Sequence, residues 1–438
     1  MSETEASQPV PEAQIPTPEV SLEEAQAATR ERMLARIDDL VNDDDLHRVL
    51  TKVRMAAFIE PTLPEGRSEP WTDEEVQNQK IMHAIKVGEL TSYRDIAGLQ
   101  AATKVIFNAR SGGVERGDVA GKVYEDELDA DARSLAEKYG LTGDTLPPHD
   151  KYAVQVNLGA AADSMINRQT YGSKIVPDLL MAVGRHLEVG MEFNLGSVRP
   201  VDAAERARSK PYAEGAIDEW GLAMNAITAV HGVHFSDQDI LEGTDPSIIS
   251  HVRRTVSGKE PMSEQETRDR YLALNDELSQ TPADSRRHTE LRQELATLQL
   301  PQPPNKWRVA SGVAPDGHPV FAISSGFHDS VFGSADAKGR ERRKIRPNTA
   351  DTFALLGKML KPDVEPGERA LVVTHAQYTG SQGVDAEMLA YDLGLQVDVI
   401  GFDPSQFGGK PVETYKLLQE IHTKVNSTLR MARHMGVL

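Results

Sequence analysis

The sequence predicts an α/β fold: a doubly wound, mainly parallel sheet with an N-terminal helical domain and a charged helical insertion. Three observations predict it. ERALVVTHAQYTGSQGVDAEMLAYDLGLQVDVIGFD, from Glu368 to Asp403, reads as strand, helix, strand. Two earlier runs, Ala153 to Leu158 and Glu192 to Leu195, end in Gly-rich turns at Gly159 and Gly196, and helical periodicity follows each. Strands joined by crossovers of this length pair in parallel, because a hairpin needs a far shorter connection.

Composition narrows the class. The 438 residues carry a net charge of -19, which speaks against nucleic acid and anionic membranes as partners, since both call for a basic face. Aromatic residues are only 5%, so the core is expected to be aliphatic. The chain has no cysteine, which excludes disulfides, thiolate metal sites and thiol nucleophiles together. MSETEASQPVPEAQIPTPEV has neither the basic start nor the apolar centre of a secretory signal. With no run near the roughly 18 apolar residues of a membrane span, the expectation is a soluble cytoplasmic protein.

Residues 1–20 combine four prolines with four glutamates and no Lys or Arg, too little apolar surface to offset the entropy of ordering. A helical domain is expected over 21–145. Ser21 with Glu24 forms a capping box that opens a helix through about Val41, with Met33, Ile37 and Leu40 on one face. Leu46 to Ile59, Thr72 to Leu90, Ser92 to Asn108 and Leu128 to Tyr139 follow as helices, the last closed by Gly140.

The α/β domain is expected over 146–438. After the Ala153 strand, Asp163 to Leu180 forms a helix carrying Arg168, and Ile217 to His231 forms another with Glu219 at its start. An insertion at 243–305 is highly charged. Its Tyr271, Leu274 and Leu278, then Leu291, Leu295 and Leu298, mark two short helices with narrow apolar stripes, a surface suited to a homo-oligomer. Trp307 to Ala310 and Val320 to Ile323 flank Pro315-Asp316-Gly317 as a hairpin. A basic run from Lys338 to Arg346 precedes a helix capped by Asn348 or Thr349 with Asp351 in its first turn. Ala370 to Val373 is a buried strand ending in Thr374-His375, the loop runs to Gly383, and Gly394 stops the next helix. Val397 to Ile400 and a helix from Val412 to Met435 close the chain.

Five pieces carry a family resemblance: LGAAADSMINR (Leu158 to Arg168), LGS (Leu195 to Ser197), DEWGLAM (Asp218 to Met224), RPNTADTF (Arg346 to Phe353) and LVVTHAQY (Leu371 to Tyr378). In this order they resemble the YdcF/SanA-like family, a group long labelled a domain of unknown function, and identify the chain as a divergent soluble member. The resemblance implies a Rossmann-like α/β fold, bacterial origin and a nucleotide-type ligand, S-adenosylmethionine in some members. It carries over to Gly159, Arg168, Gly196, Glu219, Asn348, Thr349 and Thr374, with Asp351 in place of a Glu. Thr352 and Tyr378 depart from the pattern, standing where Asn and His are common.

The expected site is the carboxyl edge of the sheet. Backbone donors near Gly159 and Gly196 and the helix N-termini favour an anion, and Arg168 and Arg199 supply charge. Asn348, Thr349, Asp351 and Thr374 orient the ligand, and Glu219 or His375 transfers a proton. The function expected is an enzyme or binder of a small phosphorylated or nucleotide-type ligand, with reaction and cofactor unassigned. The alternative is a non-catalytic regulatory or self-assembling protein that uses the helical half and the charged arm as its surface. His231 and His234 stand in an HxxH spacing with no third ligand in view, so no metal is assigned.

Overall fold

The computed structural model describes residues 20–56, 70–107, 125–159, 162–196, 201, 215–216, 218–236, 239–244, 306–324 and 364–438, with scattered residues between 273 and 291 and between 352 and 360. The acidic, Pro-rich segment, the basic run and most of the charged insertion lie outside the described residues.

The fold is α/β. Among the described residues seven strands form one sheet: β1 (Lys151–Asn157), β2 (Glu188–Gly196), β3 (Ile240–Thr244), β4 (Lys306–Val313), β5 (Pro319–Ser324), β6 (Arg369–His375) and β7 (Gln396–Phe402). Their order across the sheet is β3-β4-β5-β2-β1-β6-β7. β5, β2, β1, β6 and β7 run parallel, whereas β3 with β4 and β4 with β5 are antiparallel. β4 and β5 are the expected hairpin, turned at Gly317 with φ 96°. β3 was not expected: it borders the insertion, which leaves and re-enters the sheet through the antiparallel pair β3–β4.

The chain steps from β1 to β2 on one side and later returns as β6 on the other side of β1. Successive crossovers therefore diverge at the carboxyl ends of β1 and β6, where open parallel sheets leave a crevice.

Helices cover both faces. One face is continuous apolar packing, with Val154, Val156, Phe193, Leu195, Ala370 and Val372 of the strands under α9 (Thr379–Leu393). The other is covered by α6 (Ala162–Thr170), a π turn (Tyr171–Ile175), α7 (Val176–Ala182) and α8 (Glu219–His231). The single helix expected over Asp163 to Leu180 is thus broken by a π turn. Likewise the polar loop expected after His375 is shorter than its composition implies: a 3-10 turn, Ala376–Tyr378, leads straight into α9, which takes up Gln382 and Gly383.

The N-terminal helices are α1 (Leu22–Val41), α2 (Asp44–Ala56), α3 (Asp73–Thr91), α4 (Ile96–Ile106) and α5 (Asp126–Lys138). α1 opens on the capping box of Ser21 and Glu24. Asp43, buried before α2, accepts from the Leu46 backbone N–H at 3.1 Å, from Lys138 at 2.9 Å and from Tyr139 at 2.8 Å. The terminal helix α10 (Thr414–His434) ties these helices to the sheet. Its Leu417, Leu418, Ile421 and Val425 pack with Leu50 of α2, Leu99 of α4 and Leu135 of α5. Its Met431 and Ala432 instead join the sheet core, as does Met33 of α1. Arg36 of α1 and Arg430 of α10 form ion pairs with Glu387 and Asp385 of α9.

Placement of α8 depends on Gly196. A Cβ there would stand 2.5 Å from the Trp220 Cα and 2.8 Å from the Glu219 carbonyl oxygen, closer than any side chain allows. Asp218 caps α8 by accepting from the Gly221 N–H at 2.9 Å, and its other oxygen pairs with buried Arg308 at 3.0 Å. Because the obstruction is backbone, Gly196→Ala is expected to lower the unfolding free energy by about 1–3 kcal/mol, measured by urea titration. A loss below about 0.5 kcal/mol would mean that α8 is free to shift.

Candidate functional site

β1 and β6 deliver the first group of residues. Burial favours a run of Val, Leu and Ala inside parallel strands, and the chain turns polar where those strands end. β1 ends at Asn157 and continues through Leu158 to Gly159, and β6 ends at Thr374 and His375. Arg168, in the last turn of α6, folds back over this edge. Its Nη1 donates to the carbonyls of Leu158 at 3.0 Å and Gly159 at 2.7 Å, and its Nε is buried without a hydrogen-bond partner. The guanidinium lies 5.5 Å from the centre of the Tyr378 ring, and the His375 ring stacks on the same tyrosine at 6.1 Å.

Arg168 is 1% exposed, yet it is still a cation near neutrality: burial pulls it down to about 10, while the nearby Tyr378 and Glu219 oppose that shift. Glu219, the first residue of α8, is buried close enough for its field to reach Arg168. His375 meets the opposite pressure. Burial, with the Arg168 charge adding to it, pushes its imidazole down from 6.5 to about 2. The ring is therefore a neutral hydrogen-bonding group, and its Nε2 is buried without a partner, as is the Gln377 Oε1. Thr374 donates to the Gln382 Oε1.

Arg168, Glu219, Thr374 and His375 thus meet at one edge of the sheet. The two glycines also have a packing role that their position did not reveal. At Gly159 a Cβ would stand 2.3 Å from the Leu195 carbonyl oxygen, so the missing side chain, like that of Gly196, makes room for the protein's own backbone. Arg199, Asn348, Thr349 and Asp351 lie outside the described residues.

A second group was missed by the sequence reading. Gln155 and Asn157 on β1 and Glu192 and Asn194 on β2 form a buried polar row on the α6–α8 face. Glu192 Oε1 accepts from Asn194 at 2.9 Å, Asn157 at 3.0 Å, His231 at 3.2 Å and Gln169 at 3.4 Å. Its Oε2 accepts from Ser173, in the π turn, at 2.7 Å. Burial alone would raise this carboxyl, but the surrounding polar groups, with the nearby His231 and His318 foremost, hold it well below the usual carboxylate range. His318 sits beside the hairpin turn, its Nε2 3.8 Å from Glu192 Oε2 and its Nδ1 2.6 Å from Asp316 Oδ1. α8 ends at His231 with Gly232 left-handed at φ 72°, so the exposed His234 falls beyond the helix and the HxxH pair does not form. The missed signal was local alternation: Gln155 and Asn157 in one strand, and Glu192 and Asn194 in the other, alternate with apolar residues at the carboxyl end.

No protein-family model, curated protein or solved structure matches the chain. The geometry of these two groups therefore stands on its own.

The acid behaviour of His375 is directly measurable. Its folded value lies below its unfolded one, so the unfolded chain takes up the extra proton between pH 6.5 and about 2. Its contribution to stability is complete above that window and is lost as the pH falls through it. In His375→Leu the unfolding free energy should fall less steeply with acidification than in the parent, by up to about 1.4 kcal/mol per pH unit. Equal slopes in urea titrations across this range would mean that the imidazole protonates in place.

Proposed function

We propose that this chain is a Rossmann-like enzyme or enzyme-like binder of a small phosphorylated or nucleotide-type ligand, S-adenosylmethionine-like molecules included, held at the carboxyl ends of β1 and β6. The observation that carries this reading is Arg168, a buried cation at the point where the crossovers diverge, with its Nε unspent. A guanidinium in such a place recognises planar or tetrahedral anions through paired N–H donors. The unpartnered His375 Nε2 and Gln377 Oε1 beside it add polar groups suited to an oriented ligand, and the Tyr378 ring offers a flat apolar surface. In this reading Arg168 neutralises the anion, Thr374 and His375 orient it, and Glu219, at the start of α8, is the group placed for proton transfer.

The order of Gly159, Arg168, Gly196, Glu219 and Thr374 along the chain supports a divergent kinship with the YdcF/SanA-like family. Among the described residues no helix is long and apolar enough to cross a membrane.

A thermal-shift screen with nucleotides, sugar phosphates and S-adenosylmethionine tests the reading. A true ligand at about 100 times its dissociation constant adds about 2.7 kcal/mol of stability. Arg168→Lys keeps the charge and removes the planar fork, so the shift should shrink by at least half while the fold persists. A flat screen, or an equal shift in Arg168→Lys, would overturn the assignment.

A further inference from the structure

We propose that Glu192, His231 and His318 form a binding site for a divalent transition-metal ion of the zinc class, separate from the Arg168 edge. The three side chains come from β2, the last turn of α8 and the turn before β5, and their ligating atoms all lie within 4.8 Å of one another. Two ligand atoms bound to one ion at about 2.0–2.2 Å stand roughly 3–3.5 Å apart at tetrahedral or octahedral angles. Here the carboxylate stands 3.2 Å from His231 Nε2 and 3.8 Å from His318 Nε2. The two carboxylate–imidazole edges therefore need a shift of only a few tenths of an ångström, and the two imidazole nitrogens stand within 4.8 Å of each other.

The hydrogen bonding around His318 supplies the independent argument. Asp316 stands 2.6 Å from Nδ1, so in the neutral ring the N–H belongs there and Nε2 carries the lone pair. That lone pair is buried, has no hydrogen-bond partner and faces the Glu192 carboxylate. Two acceptors facing each other repel unless a cation, either a proton on His318 or a metal ion, lies between them. A carboxylate on the outer nitrogen of a histidine, with the inner nitrogen free, is also how proteins orient metal-binding imidazoles. Glu192 is held in turn by Asn157, Asn194, Ser173 and Gln169, which fix its plane. The His231–Glu192 hydrogen bond is the contact that an ion would replace.

The donor set decides the class. Two imidazoles and one carboxylate suit zinc, cobalt, iron or nickel better than calcium or magnesium, which prefer all-oxygen shells. Three protein ligands leave at least one coordination position for water.

The experiment uses the full chain, stripped with chelator, then dialysed against Zn²⁺ and separately Co²⁺. The expected result is one ion bound per chain, visible Co²⁺ absorption, and a raised thermal midpoint. His318→Ala and His231→Ala should each lower affinity at least a hundredfold, with folding checked by circular dichroism. Asp316→Asn, a change at an exposed side chain, should lower it about ten- to a hundredfold. No bound ion, or equal binding in Asp316→Asn and both histidine variants, would overturn the site and assign a proton to the gap instead. Should a histidine variant fail to fold, the Co²⁺ spectrum of the parent and Asp316→Asn still decide.

Discussion

The constraint on which much of this structure depends is the Glu192 carboxylate, ionised and 1% exposed in a central strand of the sheet. Removing a carboxylate from water costs several kcal/mol even after relaxation, and only a full set of donors offsets that cost. The neighbouring strand supplies Asn157, and Glu192's own strand supplies Asn194 two residues on. The covering layer supplies the rest: Gln169 from α6, Ser173 from the π turn and His231 from α8. The π turn follows from this demand. An insertion of this kind shifts the helix register locally, and here it brings Ser173 onto the carboxylate. Gly172 beside it packs tightly against the row: a Cβ there would stand 2.8 Å from the Asn157 Oδ1 and 2.9 Å from the Gln155 Nε2, so those side chains would have to give way.

The same polar row shapes the packing. On its face of the sheet the apolar contacts fall into two clusters. One lies under α8, around Trp220, Ile227 and Ala322, and the other lies under the π turn and α7, around Tyr171, Val176 and Val373. The opposite face has no such interruption and packs as one core with α9. Stability is therefore concentrated on the α9 side, where α1 and α10 are also anchored, and specificity on the other, where the register of β1 against β2 is fixed by hydrogen bonds. A slip of one residue would carry Glu192 into the apolar face, so the row fixes the register more strictly than hydrophobic contacts alone.

How much of this was legible in the sequence differs from element to element. The capping box at Ser21, the left-handed Gly394 after α9 and the hairpin at Gly317 are local signals, decided by residues within a few positions, and each element formed where its signal stood. β3 could not be read, because Ile240 to Thr244 is a short edge segment whose strand character comes from pairing with β4, far along the chain. The gathering of Arg168, Thr374 and His375 followed from strand order, which the alternation of strands and helices implied. Glu192, Asn157 and Asn194 were present in plain alternation, yet a buried polar row is legible only once both strands are known to be neighbours. His318 needed more still: its partner is set by the return of β5 beside β2, a pairing between segments over a hundred positions apart.

α6 connects the two groups. Arg168 and Gln169 are adjacent in sequence, and one reaches the carbonyls at the end of β1 while the other reaches Glu192. Their side chains leave the helix about 100° apart, so a single placement of α6 satisfies both only if the helix lies over β1 at a fixed height. Gly172, within the π turn that follows α6, lets that turn sit close against Gln155 and Asn157. The carboxyl edge and the polar row thus share one anchor, the last turn of α6, so any displacement of that turn would disturb both sets of hydrogen bonds.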